Sequence, residues 1–251
     1  MRISTSIASY IIVILPFFLN SICYSQNSQE VIAVPIENKE GSVDVIVGSI
    51  QEILNDAEEA KKIGDYKTAE ACYKAVIEYS PQNARLHVDL ANLYRFGLGL
   101  FEQAIKEYKI AESLSGDNKK GIGFCQEMEG QIYLNDLHIP KEAVSEFEKS
   151  LDSNLENINN IPLLFNLAVA LNKVDRGEEA ENYLKKIIEL NPESDFAYVS
   201  RGQLLTNSGD YEGAINALIK AKQITSNKEL TVIADSAIDI IKNIRKENTT
   251  Q

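Results

Sequence analysis

Residues 57–81 read AEEAKKIGDYKTAEACYKAVIEYSP, two apolar-patterned segments joined by a short turn. Ala57 and Ala69 stand on either side of the turn signal Gly64-Asp65-Tyr66. Apolar residues recur at helical spacing on both sides of that turn, which predicts two amphipathic helices packed antiparallel. Small residues let the two backbones approach closely, and Tyr73, one helical turn after Ala69, fills the space beside them.

The same pattern recurs along the chain. Alanines of the second helix are separated by 35, 39, 37 and 34 residues, and a large residue follows each one four positions later. One helical pair cannot bury its apolar face alone, so tandem pairs are expected to stack into a continuous core. The alanines are Ala69, Ala104, Ala143, Ala180 and Ala214, and the large residues are Tyr73, Tyr108, Phe147, Leu184 and Leu218.

This pattern resembles the tetratricopeptide repeat (TPR), a 34-residue helix-turn-helix unit whose copies stack in tandem. The first repeat carries Gly64-Asp65-Tyr66, Ala69, Tyr73 and the closing Pro81, and the fifth repeat follows the fourth in 34-residue register. The resemblance implies an all-α fold, a right-handed α-solenoid of about five repeats. The expected repeats are residues 50–83, 84–117, 122–157, 161–194 and 195–227.

Two repeats depart from the pattern. Repeats two and three each hold one extra residue in the turn between their helices. Repeat three also lacks the closing proline and runs into residues 154–160, NLENINN. We therefore expect repeat three to be locally irregular.

A last helix should close the array. Residues 228–246 carry one apolar stripe at helical spacing, and a repeat array needs such a helix, apolar inside and polar outside, to cover its last repeat. The alternative is an amphipathic helix that binds a partner. Residues 247–251 are expected to be a frayed tail. The stripe consists of Leu230, Ile233, Ala234, Ala237, Ile241 and Ile244.

The N-terminus has the pattern of an export signal. Residues 1–25 combine a short basic start, an apolar stretch and a small residue at Ser25, which predicts a secretory signal peptide cleaved before Gln26. Alternatives are an uncleaved membrane anchor and a lipoprotein lipidated at Cys23. The expected location is the periplasm or cell envelope. Residues 26–47 lack helical periodicity and are predicted to be an extended linker.

Composition argues against several function classes. The chain has 25 basic and 37 acidic residues, a net charge of -12, whereas a dedicated nucleic-acid binder must gather cations against phosphate. His87 and His138 have no second His or Cys at ligand spacing, so we expect no metal site and no cofactor. Cys72 and Cys125 are expected to be buried helix residues rather than a disulfide. No catalytic motif appears, so the protein is not expected to be an enzyme.

The TPR resemblance implies that the first helix of each repeat lines an inner groove, where a peptide segment or a partner helix lies. Amides on that face can both donate to and accept from the backbone of an extended ligand. The cations favour acidic side chains toward repeats one and two. The wider inner face includes Lys173 and Gln203. The predicted partner-binding residues are Lys61, Arg85, Asn92, Arg95, Phe165, Asn166 and Asn172.

The leading interpretation is a non-enzymatic scaffold or adaptor in the cell envelope that binds a protein partner. One alternative is a carrier that binds glycan or lipid in the groove, although the chain has no tryptophan for sugar stacking. Another is an accessory subunit that activates an envelope enzyme. Contact with a membrane is expected only through residues 1–25 or a lipidated Cys23.

Overall fold

The computed structural model describes residues 2–3, 31–37 and 43–249. Apart from Arg2–Ile3, the predicted signal peptide lies outside the described residues, as does the alternative lipidation site at Cys23. The described residues form two compact bodies that divide between Gly121 and Ile122.

Helices make up most of both bodies, as the repeat pattern predicts. They pair in chain order as the first and second helices of five repeats, and α11 is the closing helix. The helices are α1 (Ile50–Lys62), α2 (Tyr66–Tyr79), α3 (Ala84–Asn92), α4 (Phe101–Leu114), α5 (Lys119–Gln131), α6 (Pro140–Ser153), α7 (Ile161–Lys173), α8 (Gly177–Leu190), α9 (Asp195–Asn207), α10 (Tyr211–Ile224) and α11 (Lys228–Thr249).

The predicted linker contains a small β-sheet instead. Strands β2 (Val31–Glu37) and β3 (Val43–Ser49) pair antiparallel, and β1 (Arg2–Ile3) pairs with the other edge of β3. Ile32 and Val34 are buried, and the hairpin packs against α1 and α2. The linker prediction is therefore wrong for these strands. The apolar, β-branched residues of these strands become buried when the strands pair within the chain. Strand pairing produces no helical periodicity, so helical periodicity alone does not predict it.

A capping box joins the sheet directly to the first helix. The backbone N–H of Ser49, the last residue of β3, donates to Glu52 Oε2 over 2.7 Å. The N–H of Glu52 donates in return to Ser49 Oγ over 3.4 Å. Two N–H groups at the start of α1 thus gain acceptors, and the helix starts without a flexible spacer after the strand.

The small residues of the repeat pattern lie where the paired helices cross. In the N-terminal body, Ala57 and Ala69 are fully buried and Tyr73 is buried beside them. In the C-terminal body, a Cβ added to Gly202 would lie 2.8 Å from Leu218 Cγ. Each large apolar side chain buried in this way contributes roughly 2 kcal/mol, so the stacked pairs supply the main stabilisation of each body.

The extra residue of repeats two and three is absorbed by π-helical turns. Leu93–Leu98 continues α3 and Ile132–Asp136 continues α5 as π-helix. In repeat two, the N–H that caps the first helix belongs to Leu100 and donates to the carbonyl of Tyr94, six positions back. In repeat one, the equivalent N–H of Asp65 donates to the carbonyl of Ala60, five positions back. The added residue thus widens the end of the first helix and leaves the second helix in register.

The closing helix caps repeat five with most of the predicted stripe facing inward. Ala234, Ile238 and Ile241 are buried against the core of repeat five, and Ala237 packs beside them. The prediction is wrong at Ile233, which is 56% exposed, and it omitted Ile238. The expected tail is helical as far as Thr249.

Candidate functional site

In the N-terminal body, the predicted groove residues contact other side chains of the same body. Lys61 Nζ lies 2.9 Å from Glu58 Oε1 and 5.7 Å from the ring centroid of Tyr73. The Tyr73 hydroxyl donates to the same Glu58 carboxylate. That hydrogen bond, with the bond from Lys61, lowers the pKa of Glu58. Lys61 therefore joins the two helices of repeat one.

Repeat two contains a similar ion pair on its first helix. Arg85 Nε lies 3.1 Å from Asp89 Oδ1, one helical turn away. Burial raises the pKa of Asp89 even though Arg85 stabilises its charged form. Asn92 Oδ1 accepts a 2.6 Å hydrogen bond from the hydroxyl of Tyr108. Lys61 and Arg85 are thus paired with carboxylates, and the amide oxygen of Asn92 is already in use.

Arg95 does not lie where a groove cation should. Its side chain is buried, with 8% of the residue exposed, and its guanidinium carbon lies 4.8 Å from the ring centroid of Phe96. Arg95 sits within the π-helical turn, so the extra residue changes the direction in which this position points. Phe96, which follows it, is 69% exposed.

The C-terminal body contains the other predicted residues on α7. The rings of Phe165 and Phe196 meet edge to face, with centroids 4.9 Å apart and planes at 82°. Asn166, the next residue, is half-buried on the same helix. Edge-to-face aromatic pairs fix the spacing of the helices that carry them, here α7 and α9.

A cavity of about 300 Å³ lies between these two helices. Asn172 and Lys173 line it from α7, and Ser200 and Gln203 line it from α9. Apolar side chains, among them Leu204, also line it. Amides and a hydroxyl beside apolar side chains can bond a peptide backbone and still accept an apolar side chain.

A neighbouring cavity of about 320 Å³ shares Asn172 and adds Asn207 and Ser208 from the end of α9. Glu178 and Glu181 line it from α8. The amides of repeats four and five thus border two adjoining hollows within one body. Ser200 was missed from the sequence, although its position one helical turn before Gln203 was a usable signal.

Buried polar side chains elsewhere serve packing. His87 is buried, with Nδ1 2.7 Å from Glu107 Oε2 and Nε2 3.3 Å from Pro81 O, so it links three segments of the N-terminal body. Cys72 and Cys125 are buried, in agreement with the sequence analysis. Burial raises the pKa of the Cys72 thiol to about 11.

The described residues contain neither a metal-binding cluster nor a membrane-spanning helix. Among residues 2–3, 31–37 and 43–249, no group of three or more His, Cys, Asp or Glu side chains could hold a metal ion. In that same part of the chain, every helix is too short or too polar to cross a membrane.

Known proteins share this architecture. A model of the tetratricopeptide repeat family matches residues 54–118 and 163–227, more than half of the chain. The structure of YrrB, described as a TPR protein with an unusual peptide-binding site, is 20% identical, with a TM-score of 0.60 over 73% of this chain and 90% of that one. No curated protein gives a significant match.

Two further structures resemble the chain. MamA from Desulfovibrio magneticus RS-1 is 14% identical, with a TM-score of 0.61 over 70% of this chain and 94% of that one. PilW, described as a type IV pilus biogenesis factor, is 17% identical, with a TM-score of 0.56 over 80% of this chain and 94% of that one. With the family match and the five observed helical pairs, these likenesses establish that the chain belongs to the tetratricopeptide repeat family and has its all-α solenoid fold.

Proposed function

We propose that this protein is an exported, non-enzymatic scaffold of the cell envelope that binds an extended segment of a protein partner. The leader pattern of residues 1–25 supports export. The TPR fold supports a binding role, as does its likeness to YrrB, which is described as having a peptide-binding site. The likeness to PilW, a pilus biogenesis factor, supports an envelope setting.

The main support for the proposed binding site is the amide-lined cavity between α7 and α9. Asn172 lines the cavity from α7 and Gln203 lines it from α9, and each can donate and accept hydrogen bonds. A peptide backbone offers both kinds of group at regular intervals, so these two amides can hold an extended chain whatever its side chains. The proposed ligand is therefore recognised mainly through its backbone.

We propose a different position for the acidic part of the ligand from the one predicted from the sequence. In repeats one and two, Lys61 and Arg85 are paired with carboxylates. In the C-terminal body, exposed Lys173 lies at the cavity wall next to Asn172. We propose that Lys173 attracts an acidic side chain of the bound segment, with Phe165 and Phe196 providing apolar contact nearby.

The test begins with the partner. A photo-crosslinking residue replaces Gln203 in the full chain in cells, and the captured protein is identified by mass spectrometry and purified. Its affinity is then measured for the wild type, N172A, Q203A and K173E. Each variant should weaken binding by roughly tenfold, because a few central residues supply most of the binding energy.

The matched control is Lys220→Glu, the same charge reversal at an exposed lysine on the second helix of repeat five. K220E should bind like the wild type, while K173E should bind weakly and lose the salt dependence of association. Equal affinities for N172A, Q203A and the wild type would show that this cavity is not the binding surface.

A further inference from the structure

The connection between repeats three and four differs from the other connections between repeats. Residues 154–160 include Leu155 and Ile158, whereas the other links contain only small or polar residues and proline. Leu155 is 81% exposed and Ile158 is 49% exposed. The other links are Ser80-Pro81-Gln82-Asn83, Ser115-Gly116-Asp117-Asn118, Asn191-Pro192-Glu193-Ser194 and Thr225-Ser226-Asn227.

A buried amide fixes the conformation of this connection. Residues Leu155–Asn159 form a 3-10 turn, and Asn157 at its centre is only 9% exposed. Asn157 Nδ2 donates to Ser150 Oγ over 2.9 Å and to Ser150 O over 3.1 Å. Asn157 Oδ1 accepts from Asn154 Nδ2 over 3.0 Å. The amide of Asn157 thus uses both donors and accepts one bond in return.

The turn is also tied to the preceding helix α5. The fully buried Ser150 hydroxyl donates to Gly123 O over 2.7 Å. A Cβ at Gly123 would lie 3.0 Å from Asn154 Cβ, so glycine at this position permits the close approach. At the far end of the turn, Asn160 Nδ2 donates to Glu127 Oε2 over 3.1 Å. Both ends of the turn are therefore held by side-chain hydrogen bonds.

The two exposed aliphatic side chains add nothing to the core that this network supports. Folding leaves Leu155 and Ile158 largely in water, where their apolar surface is unfavourable. A connection that only joined two helices could be polar, as the others are. Ordered loops that display apolar side chains are a usual form of protein-binding surface, because the loop is already ordered before it binds.

We propose that Leu155 and Ile158, held outward by the Asn157 network, form a second docking surface that inserts into an apolar pocket of a protein partner rimmed by basic residues. The negative charge of the turn favours a pocket with a basic rim. Asp152 lies just before the turn and Glu156 lies between the two aliphatic residues in sequence, and both acidic residues are exposed. Lysine or arginine around the pocket complements these carboxylates. An anionic membrane surface would repel them.

The test places a photo-crosslinking residue at position 155 of the full chain in cells, with the same residue at position 190 as control. Leu190 is another exposed leucine of the same body, 41% exposed. The adduct specific to position 155 is identified and the partner purified. Affinities are then measured for wild type, the double variant L155S/I158S, L190S and D152K.

The double variant should lose about tenfold or more in affinity, since paired apolar anchors dominate such contacts. D152K should weaken binding and reduce its salt dependence. L190S should bind this partner like the wild type. Thermal melting of L155S/I158S should match the wild type, because neither side chain supports the fold.

Four results would overturn the proposal. The first is crosslinking at position 155 no stronger than at position 190. The second is an adduct with a second copy of this chain. The third is co-sedimentation of the wild type, but not L155S/I158S, with vesicles of phosphatidylglycerol and phosphatidylethanolamine. Loss of binding in Q203A but not in the double variant would leave the cavity as the binding site and reject the turn.

Discussion

Gly130 lies against the ring of Phe147, and a Cβ added at position 130 would lie 2.6 Å from the ring carbons Cδ1 and Cε1. The two residues stand on the two helices of repeat three, at the positions that hold Ala57 and Tyr73 in repeat one. Alanine therefore fits at position 57, whereas only glycine fits at position 130, because the ring of Phe147 packs against the backbone there.

We expect Gly130→Ala to destabilise the protein by about 1–3 kcal/mol, because the added methyl group overpacks the helix crossing. Thermal or urea unfolding measures the change. The matched control is Gly177→Ala at the start of α8, where a Cβ would meet only Leu204 Cδ1 at an ordinary 3.8 Å. G177A should be neutral or slightly stabilising. Equal stability of G130A and the wild type would contradict this packing.

Asn157→Ala should lower the free energy of unfolding by about 1–3 kcal/mol, because Ser150 and Asn154 lose hydrogen-bond partners in a buried site. Asn159→Ala, an exposed amide of the same turn, is the control and should change little. Hydrogen exchange of residues 154–160 gives a second readout and should rise in N157A alone. Unchanged exchange in N157A would show that the turn is held by other contacts.

Cys72 should react slowly with iodoacetamide in the folded protein. Burial raises the pKa of its thiol from 9.0 to about 11, which reduces the reactive thiolate about a hundredfold near pH 8, and the side chain is also shielded from solvent. Peptide mapping after timed labelling measures the modification, and the same labelling in urea provides the control. Equal rates in both conditions would mean that Cys72 is accessible.

Removal of the closing helix should cause aggregation. A chain that ends at Asn227 would expose Leu205 and Leu218, which now pack against Ile238 and Ile241. Light scattering and size-exclusion chromatography measure the outcome. A chain that ends at Lys246 is the control and should behave like the full chain. If the shorter chain stays monomeric and equally stable, α11 is not a cap.

The N-terminus of the exported protein should be Gln26. Intact mass and terminal sequencing of protein isolated from the cell envelope test this expectation. An intact Met1 would indicate a retained anchor, and a terminal lipidated cysteine would indicate a lipoprotein modified at Cys23. Either result would contradict simple secretion and would leave the TPR assignment untouched.

The repeat architecture of this protein follows from the spacing of its residues alone. Packing two helices closely requires a small residue at the crossing and a large one beside it, so residues such as Ala69 and Tyr73 recur at a fixed period that needs no coordinates to find. The same reasoning predicted that Cys72 and Cys125 are buried, because both fall on apolar stripes of helices.

Only the tertiary structure decided which polar side chains point outward and what they contact. Arg95 lies on the inner helix by spacing, yet the π-helical turn places it inside the protein. The hairpin of β2 and β3 and the buried amide of Asn157 depend on partners distant in sequence or on an irregular backbone. Periodicity captures what repeats along one helix, whereas strand pairing and the direction of a side chain after an inserted residue are set by three-dimensional contacts.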